Sequence, residues 1–480
     1  MIERKNGMSR VIAISNRTAA DPSARAGGLA VALWESLRST GGLWVGWTGN
    51  LVEETPQEAT SFEDEGVEFL LTDLSRAEHD AYYVGYANRT IWPVFHYRID
   101  LAHFDNAAFE TYAAVNRRIA DLVAGKARPD DLIWVHDYHF LLLGDCLRQA
   151  GVTAPVGFFL HIPFPAPEIF QALPQHREIG QALAAYDVIG LQSEQDRQNL
   201  MRWFLDECGG VELADGRIEV FGQRTRVNSY PIGIDPDAFE KAAVSEKARS
   251  AAGRLGRILG ERDLVLGVDR MDYSKGLPER FAAVGAFFDA NPEFIGKVSV
   301  TQIAPPSRSK VEEYQDLRQQ LDQLAGRINA DYSDLDWIPL RYLARPYERE
   351  ELAGLYRIAQ VGLVTPLRDG MNLVAKEFVI AQPGADPGVL ILSEFAGAAE
   401  QLKSALLVNP HDTAQMAEAI RQALVMPLEE RRNRWEKSRE IIRATDIGWW
   451  RERFLSDLRA VSATPRVVPF GTKAGGAKAG

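Results

Sequence analysis

Cysteine is nearly absent from this sequence, with two in 480 residues, Cys146 and Cys208. They lie far apart and match no metal-ligand spacing, so two reduced thiols of a cytoplasmic protein are expected. No apolar run approaches the roughly 20 residues needed to span a bilayer, and the first eight residues are too polar for a secretory signal. Basic residues are not in excess. Lys and Arg number 54 against 66 Asp and Glu, a net charge of −12, which argues against nucleic-acid or anionic-membrane partners. It does not exclude a small anion held by a local basic cluster. Three motifs are missing as well. Without G-x-G-x-x-G or G-x-x-x-x-G-K-[ST] there is no dinucleotide or Walker fingerprint, and without G-x-S-x-G a hydrolase reading weakens.

What is present is a large apolar fraction, 46%, in a chain long enough for two or three domains at roughly 100–200 residues each. Short β-branched runs alternate with longer helical patterns. In the first half they fall at 11–15, 132–136, 156–161, 188–192 and 227–232. In the second half they fall at 264–268, 298–303, 338–343, 361–364, 389–392 and 406–408. Several are almost wholly apolar, as parallel strands covered on both faces are. Strand–helix alternation implies doubly wound α/β sheets, and the number of strands suits two sheets in two domains. The boundary is placed at Pro231-Ile232-Gly233-Ile234-Asp235-Pro236. Residues 45–97, rich in aromatic and acidic side chains, read as an insertion with its own small strands or loops. The tail 464–480 reads as disordered.

The most informative stretch is Arg368-Asp369-Gly370-Met371-Asn372-Leu373-Val374-Ala375-Lys376-Glu377. It joins a buried strand to a helix through a glycine turn that carries an acid. Backbone N–H groups at a helix start are unpaired and suit anions. Asp369 can accept from sugar hydroxyls, and Glu377, about two turns into the helix, from a ribose. Asp269-Arg270-Met271-Asp272-Tyr273-Ser274-Lys275-Gly276 also follows a strand. Its Arg270 and Lys275 can turn toward one diphosphate, or form a solvated charge cluster. Ser15-Asn16-Arg17 ends the first strand, and Ala26-Gly27-Gly28-Leu29 precedes a helix, where a backbone can approach phosphate closely or simply be a flexible loop. His136-Asp137-Tyr138-His139 and Leu160-His161-Ile162-Pro163-Phe164-Pro165 follow strands too. His136 and His139 could be two metal ligands, but no further ligand set accompanies them; structural hydrogen bonding, sugar-hydroxyl binding and proton handling are the alternatives. Arg308, after Pro305-Pro306-Ser307, could clamp a phosphate or be an ordinary surface arginine.

With Gly42-Leu43-Trp44-Val45-Gly46-Trp47 and Trp92-Pro93, these runs resemble glycosyltransferase family 20, the trehalose-6-phosphate synthases. These are retaining enzymes with two Rossmann-like doubly wound domains facing across a cleft (GT-B). The resemblance extends from about Ser9 to Leu458. It implies an N-terminal acceptor domain over 1–234, a nucleotide-sugar domain over 235–445, and a helix near 446–460 packing back on the first domain. The implied reaction moves glucose from a nucleotide donor to glucose 6-phosphate, with no metal and no cofactor. UDP-glucose is the first expectation, with GDP- and ADP-glucose as alternatives. Arg270 and Lys275 are implied to hold the donor diphosphate, Glu377 the ribose and Asp369 the donor glucose. Gly28 and the backbone of Asn372, Leu373 and Val374 close over the phosphates, and His161 lies near the transferred glucose. Arg17, Tyr83 and Arg308 match groups that bind the 6-phosphate, while Trp47, Trp92 and Asp137 match the walls of the acceptor pocket. The implied setting is cytoplasmic, with no nucleic acid or membrane; a homo-oligomer is left open.

Two rivals remain at this level: a GT-B transferase with another acceptor, and a non-catalytic sugar-phosphate sensor. Three candidate phosphate cations and the aromatic segment favour a small phosphorylated acceptor. Intact Arg270, Lys275, Asp369 and Glu377 argue against the sensor. Arg308→Ala should raise the KM for glucose 6-phosphate more than that for the donor, as steady-state kinetics with each substrate varied will report; an unchanged acceptor KM reassigns this arginine.

Overall fold

The structure, a computed structural model, describes residues 9–19, 33–34, 37–38, 41–56, 58–307 and 312–462. Gly28 with its neighbours in 26–29, Arg308 and the tail 464–480 lie outside the described residues. Sixteen strands among the described residues form two sheets. The first contains β1 (Val11–Arg17), β2 (Leu43–Val52), β3 (Thr60–Asp64), β4 (Val67–Ser75), β5 (Leu132–His136), β6 (Val156–Phe159), β7 (Val188–Leu191), β8 (Val211–Glu212), β9 (Ile218–Val220) and β10 (Gln223–Ser229). The second contains β11 (Asp263–Val268), β12 (Val298–Ile303), β13 (Leu340–Leu343), β14 (Val361–Val364), β15 (Val389–Ser393) and β16 (Leu406–Val408).

The second sheet is wholly parallel, in the order β13-β12-β11-β14-β15-β16. The first runs β3-β4-β2-β1-β5-β6-β7-β10-β9-β8, parallel from β4 to β10 and antiparallel at both edges. In each, the chain starts mid-sheet, winds one way, then returns to wind the other. This creates a switch point between β1 and β5 and another between β11 and β14, where strand ends part and leave a crevice. Burial on both faces explains the apolar runs: in β1, Ile12 and Ile14 join one core cluster and Val11 and Ala13 the other.

The segment 45–97 is not an insertion. Strands β2 and β4 lie beside β1 and extend the first sheet in parallel, with Leu43 opposite Ile12 and Trp44 opposite Phe69. After them comes a wide π-helix, His79–Ile91. Such helices are usually single-turn features at functional sites. The Asn88 side chain donates to the Tyr83 carbonyl at 2.7 Å, one i+5 step back. Strand β10 also differs from its expected span. It begins in polar residues that pair with β9 as a hairpin, and after Ser229 the chain leaves the sheet.

That departure is the first crossing between domains. Asp235 caps the next helix, Pro236–Ala243, its carboxylate accepting from Ala238 N–H at 2.9 Å. The return crossing packs directly against the first: a Cβ on Gly233 would lie 2.4 Å from the Thr445 carbonyl oxygen, and Ile447 N–H donates to Ile234 O at 3.0 Å. Helix Ile447–Ser462 then lies on the first sheet. Its Phe454 stacks on Trp134 at 5.0 Å over Gly157 and Gly190, where any Cβ would meet the Phe454 ring at 2.7 and 2.8 Å. Tyr230 hydroxyl donates to Asp457 at 2.7 Å. Among the described residues no helix is long and apolar enough to cross a membrane. Phe454→Ala empties a site with 0% exposure and should cost about 3–5 kcal/mol, read as a lower urea midpoint followed by tryptophan fluorescence.

Candidate functional site

The second switch point assembles a cationic crevice from two loops. The loop after β11 makes a short turn, Tyr273–Lys275, in which Asp272 accepts from Ser274 N–H at 3.0 Å. Gly276 then sits at φ 63 against the Thr365 carbonyl. The loop after β14 lies alongside, with Leu367 N–H donating to Ser274 O at 2.8 Å. The result brings Lys275 Nζ onto Asp369 Oδ2, a contact between residues 94 apart in sequence. Asn372 Nδ2 donates to the same oxygen at 3.1 Å. Arg270 reaches out to lie 5.9 Å from the Trp92 ring of the other domain.

Asn372 has φ 71, a left-handed conformation uncommon outside glycine, and helix Leu373–Ala381 starts only after it. Glu377 is therefore the fifth helical residue, one turn in rather than two, because 370–372 stay irregular. Leu373 and Val374 occupy the first turn, with N–H groups free of intrahelical partners. Glu377 is partly buried. Burial pushes its carboxyl up to about 7, and Arg349 opposes the shift.

One group here was not singled out from sequence. Arg280, on helix Leu277–Ala290, is 1% exposed. Its guanidinium donates to Asp269 at 2.5 Å, Gln302 Oε1 at 2.8 Å and Thr365 Oγ1 at 3.0 Å. A charged residue in an otherwise apolar helix face, four after a loop glycine, was the available signal.

The first switch point faces this crevice. Arg17, exposed at the end of β1, holds its guanidinium 5.7 Å from the Trp47 ring. Trp47 packs on Tyr83 at 6.0 Å, and Tyr83 stacks on His139 at 5.8 Å. Trp92, just past the π-helix, stacks on His96 at 4.2 Å and packs on Tyr138 at 5.5 Å. Burial lowers the His96 pKa to about 4, and its Nδ1 lies 2.7 Å from the Trp92 carbonyl. Asp137, beyond β5, adopts φ 77, a second left-handed non-glycine residue at the site. Its Oδ1 accepts from His161 N–H at 3.2 Å. His161 is half-buried, with burial lowering its pKa to about 3, and its Nε2 lies 3.2 Å from His136 Nδ1.

The two halves touch through backbone. A Cβ on Gly370 would come 2.3 Å from the His161 carbonyl oxygen, so glycine lets the acid-bearing loop close on the histidine loop. The structure thus brings Arg270, Lys275, Asp369, Asn372, Leu373 and Val374 together, and sets His161, Asp137, Trp92, Tyr83, Trp47 and Arg17 opposite. Glu377 lies to one side, near Arg349 and Tyr356. Gly28 and Arg308 are outside the described residues. His136 and His139 acquire no metal set: among the described residues no three His, Cys, Asp or Glu side chains gather as ligands.

Two Rossmann-like sheets whose switch points face each other, one carrying cations and a helix start, the other aromatic rings and an acid, define a GT-B glycosyltransferase. The sequence profile of Glycosyltransferase family 20 matches residues 5–460. The chain belongs to that family. It is 45% identical over 462 residues to a trehalose-6-phosphate synthase of Cronobacter sakazakii, covering 96% of each chain. It is similar to the crystal structure of a UDP-forming α,α-trehalose-phosphate synthase from Burkholderia xenovorans in complex with glucose 6-phosphate, with TM-score 0.90 and 44% identity over 94% of this chain and 100% of that one. It is similar also to the E. coli protein bound with UDP-2-fluoro glucose, with TM-score 0.91 and 43% identity over 94% and 99% of the two chains.

The raised Glu377 pKa has a stability consequence. Between about pH 4.5 and 7 the unfolded chain has lost this proton while the folded one keeps it, so stability falls as pH rises through that window. Glu377→Gln should match the parent below the window and melt higher above it. If the residue holds ribose, its donor KM should rise by about tenfold. Thermal melts across pH, paired with donor titrations, check both.

Proposed function

We propose that the chain is an α,α-trehalose-6-phosphate synthase. It transfers glucose from UDP-glucose to glucose 6-phosphate with retention of anomeric configuration and without a metal ion. One observation carries the reading: the cations at the second switch point and the aromatic, acidic cradle at the first lie on a continuous path of contacts. That path runs from Lys275 through Asp369 and the Gly370–His161 junction to Asp137. The solved proteins described with glucose 6-phosphate and with UDP-2-fluoro glucose, alike over nearly the whole chain, support these two substrates.

In this reading Arg270 and Lys275 face the donor diphosphate. Lys275 exchanges Asp369 for phosphate oxygens, which frees Asp369 to accept from hydroxyls of the donor hexose. The bond from C1 to the β-phosphate oxygen breaks, and its electron pair stays with that oxygen. Positive charge grows on the sugar as in glycoside chemistry generally. The growing negative charge meets a guanidinium, an ammonium and the N–H groups of Leu373 and Val374, with Gly28 closing over the phosphates. Fixed donors of this kind are worth about 3–4 kcal/mol each in a water-poor site. The C1 hydroxyl of glucose 6-phosphate approaches on the face the phosphate leaves. Its oxygen forms the new bond to C1 and its proton passes to the departing phosphate, so the configuration is retained.

In the same reading Arg17, Tyr83 and Arg308 take the 6-phosphate, while Trp47, Trp92 and Asp137 wall the acceptor sugar. His161 lies beside the transferred hexose. Its lowered pKa makes it a neutral hydrogen-bonding group near pH 7 rather than a cation. Glu377 holds the ribose from the side of the crevice.

The assay is direct. With UDP-, GDP- and ADP-glucose offered in turn, UDP should be released from UDP-glucose only when glucose 6-phosphate is present. Absence of transfer to glucose 6-phosphate from all three donors defeats the proposal. Arg270→Ala should lower kcat by at least about a hundredfold, and near-normal turnover removes this arginine from the mechanism.

A further inference from the structure

Outside the groups that face substrate, the most unusual polar arrangement is a cluster of buried ring nitrogens behind His161. His136 ends β5, is 1% exposed, and stacks beside His161 with ring centroids 5.4 Å apart. Its Nδ1 lies 3.2 Å from His161 Nε2. Two facing imidazole nitrogens at that separation share one proton between them, so one ring donates and the other accepts.

The surroundings decide which. His136 Nε2 is buried and has no hydrogen-bond partner among the described residues. Were His161 the donor, neutral His136 would carry its proton on that Nε2, leaving a buried N–H unpaired, the rarer and costlier arrangement. The neighbouring rings point the same way. Trp134 lies 4.6 Å from His136 by ring centroids and Trp450 6.4 Å away. Both also bury an indole N–H without a partner among the described residues. Indole nitrogens only donate. Neither ring offers an acceptor to His136 Nε2, so an N–H placed there would stay unpaired.

We infer that His136 is a positioning residue: its Nδ1–H donates to His161 Nε2 and thereby fixes His161 as the Nδ1–H tautomer, which presents an N–H donor to an oxygen of the hexose in the donor site. The inference rests on the proposed reaction for its substrate but not for its tautomers. His161 keeps a half-exposed edge, and its backbone is pinned by Asp137 at one atom and Gly370 at another. Main chain and ring orientation are thus set by separate partners. A ring locked in this way offers a hydrogen bond and is no proton acceptor, which suits a reaction whose proton leaves on the phosphate.

The test has two arms. Long-range proton–nitrogen correlation on full-length protein labelled with 15N-histidine reads which ring nitrogen is protonated, without substrate. Signals are assigned by their loss in His136→Asn and His161→Asn. Both histidines should show protonated Nδ1 and bare Nε2; a protonated Nε2 on His161 overturns the inference whatever the activity. In the second arm, His136→Asn, whose amide N–H replaces the Nδ1 donor, should keep kcat within about threefold. His136→Leu should lose at least about tenfold in kcat with the glucose 6-phosphate KM little changed. Equal turnover by the two variants overturns the inference. Should His136→Leu not fold, the nitrogen spectra of the parent decide alone. An inactive parent with the predicted tautomers removes the proposed reaction and leaves the tautomer assignment standing.

Discussion

The Arg280 guanidinium is the point on which the cationic half of the site depends. It touches the ends of three adjacent strands: Asp269 after β11, Gln302 on β12 and Thr365 after β14. A charge buried this deeply is tolerated only with its acceptors in place, and removing one partner of such a pair typically costs 3–5 kcal/mol. Gly267 makes the room, since a Cβ there would lie 2.2 Å from Gln302 Oε1 and 2.9 Å from Arg280 Nη1. The buried ion pair is weak evidence for stability, but it fixes the relative heights of the loops. Arg270 and Lys275 lie on one and Asp369 on the other, and the same guanidinium also reaches the Lys275 carbonyl at 3.4 Å.

The opposite half is organised by strain and by rings. Asp137 holds left-handed backbone after β5, as Asn372 does across the cleft, each a departure worth about 1–3 kcal/mol that surrounding structure must impose. The π-helix and the residues after it send three groups across the mouth of the cleft. Trp92 meets Arg270 at 5.9 Å, Tyr97 meets Arg368 at 4.0 Å, and Arg98 meets Tyr273 at 5.6 Å. Contacts of this type hold about 0.5–1 kcal/mol each at exposed sites. They align the halves without locking them.

Much of the scaffold is visible in sequence because parallel strands are covered on both faces. The runs 132–136, 298–303, 361–364 and 406–408 coincide with strands, and none needs an alternation pattern to be found. The segment 45–97 misleads for the opposite reason. Thr48, Asn50 and Asp73 interrupt the apolar pattern of β2 and β4 near the site, so two strands of the first sheet resemble an appended loop region. The π-helix is hidden because its neighbours recur at five residues rather than three or four. Site loops are legible as strand-to-helix turns, which is how Arg270, Lys275 and Asp369 stand out. Their mutual contacts are not, since Lys275 and Asp369 meet only after two βαβ units have folded. Arg280 escapes notice because it acts through partners distant in sequence, and the pairing of His136 with His161 is not legible although both residues stand out.

The contacts that join the domains differ sharply in kind from mouth to hinge. At the hinge, Lys376 is 0% exposed. Its Nζ donates to Ile232 O at 2.8 Å on the first crossing and to Gln401 Oε1 at 2.7 Å, while Gln401 Nε2 donates to Thr445 at 3.0 Å on the return crossing. Burial lowers the Lys376 pKa to about 7, so near neutral pH the amine need not remain fully charged, which eases its burial. Beside it, Glu400 accepts from the N–H groups of Glu194 and Gln195, at 2.8 and 3.1 Å, at the start of helix Glu194–Arg202, where helix dipole and unpaired amides both favour a carboxylate. These bonds join the helix that carries Glu377 to both crossings. At the mouth the bridges are cation–ring pairs and the Arg89–Glu313 contact at 3.4 Å, all partly in water and individually weak. A bound anion can replace the Asp369 contact of Lys275 or draw Arg270 from Trp92 at small cost, whereas nothing a substrate brings can substitute for Ile232, Gln401 and Thr445. The chain has therefore placed its exchangeable interactions where ligand enters and its irreplaceable ones where the two halves are joined.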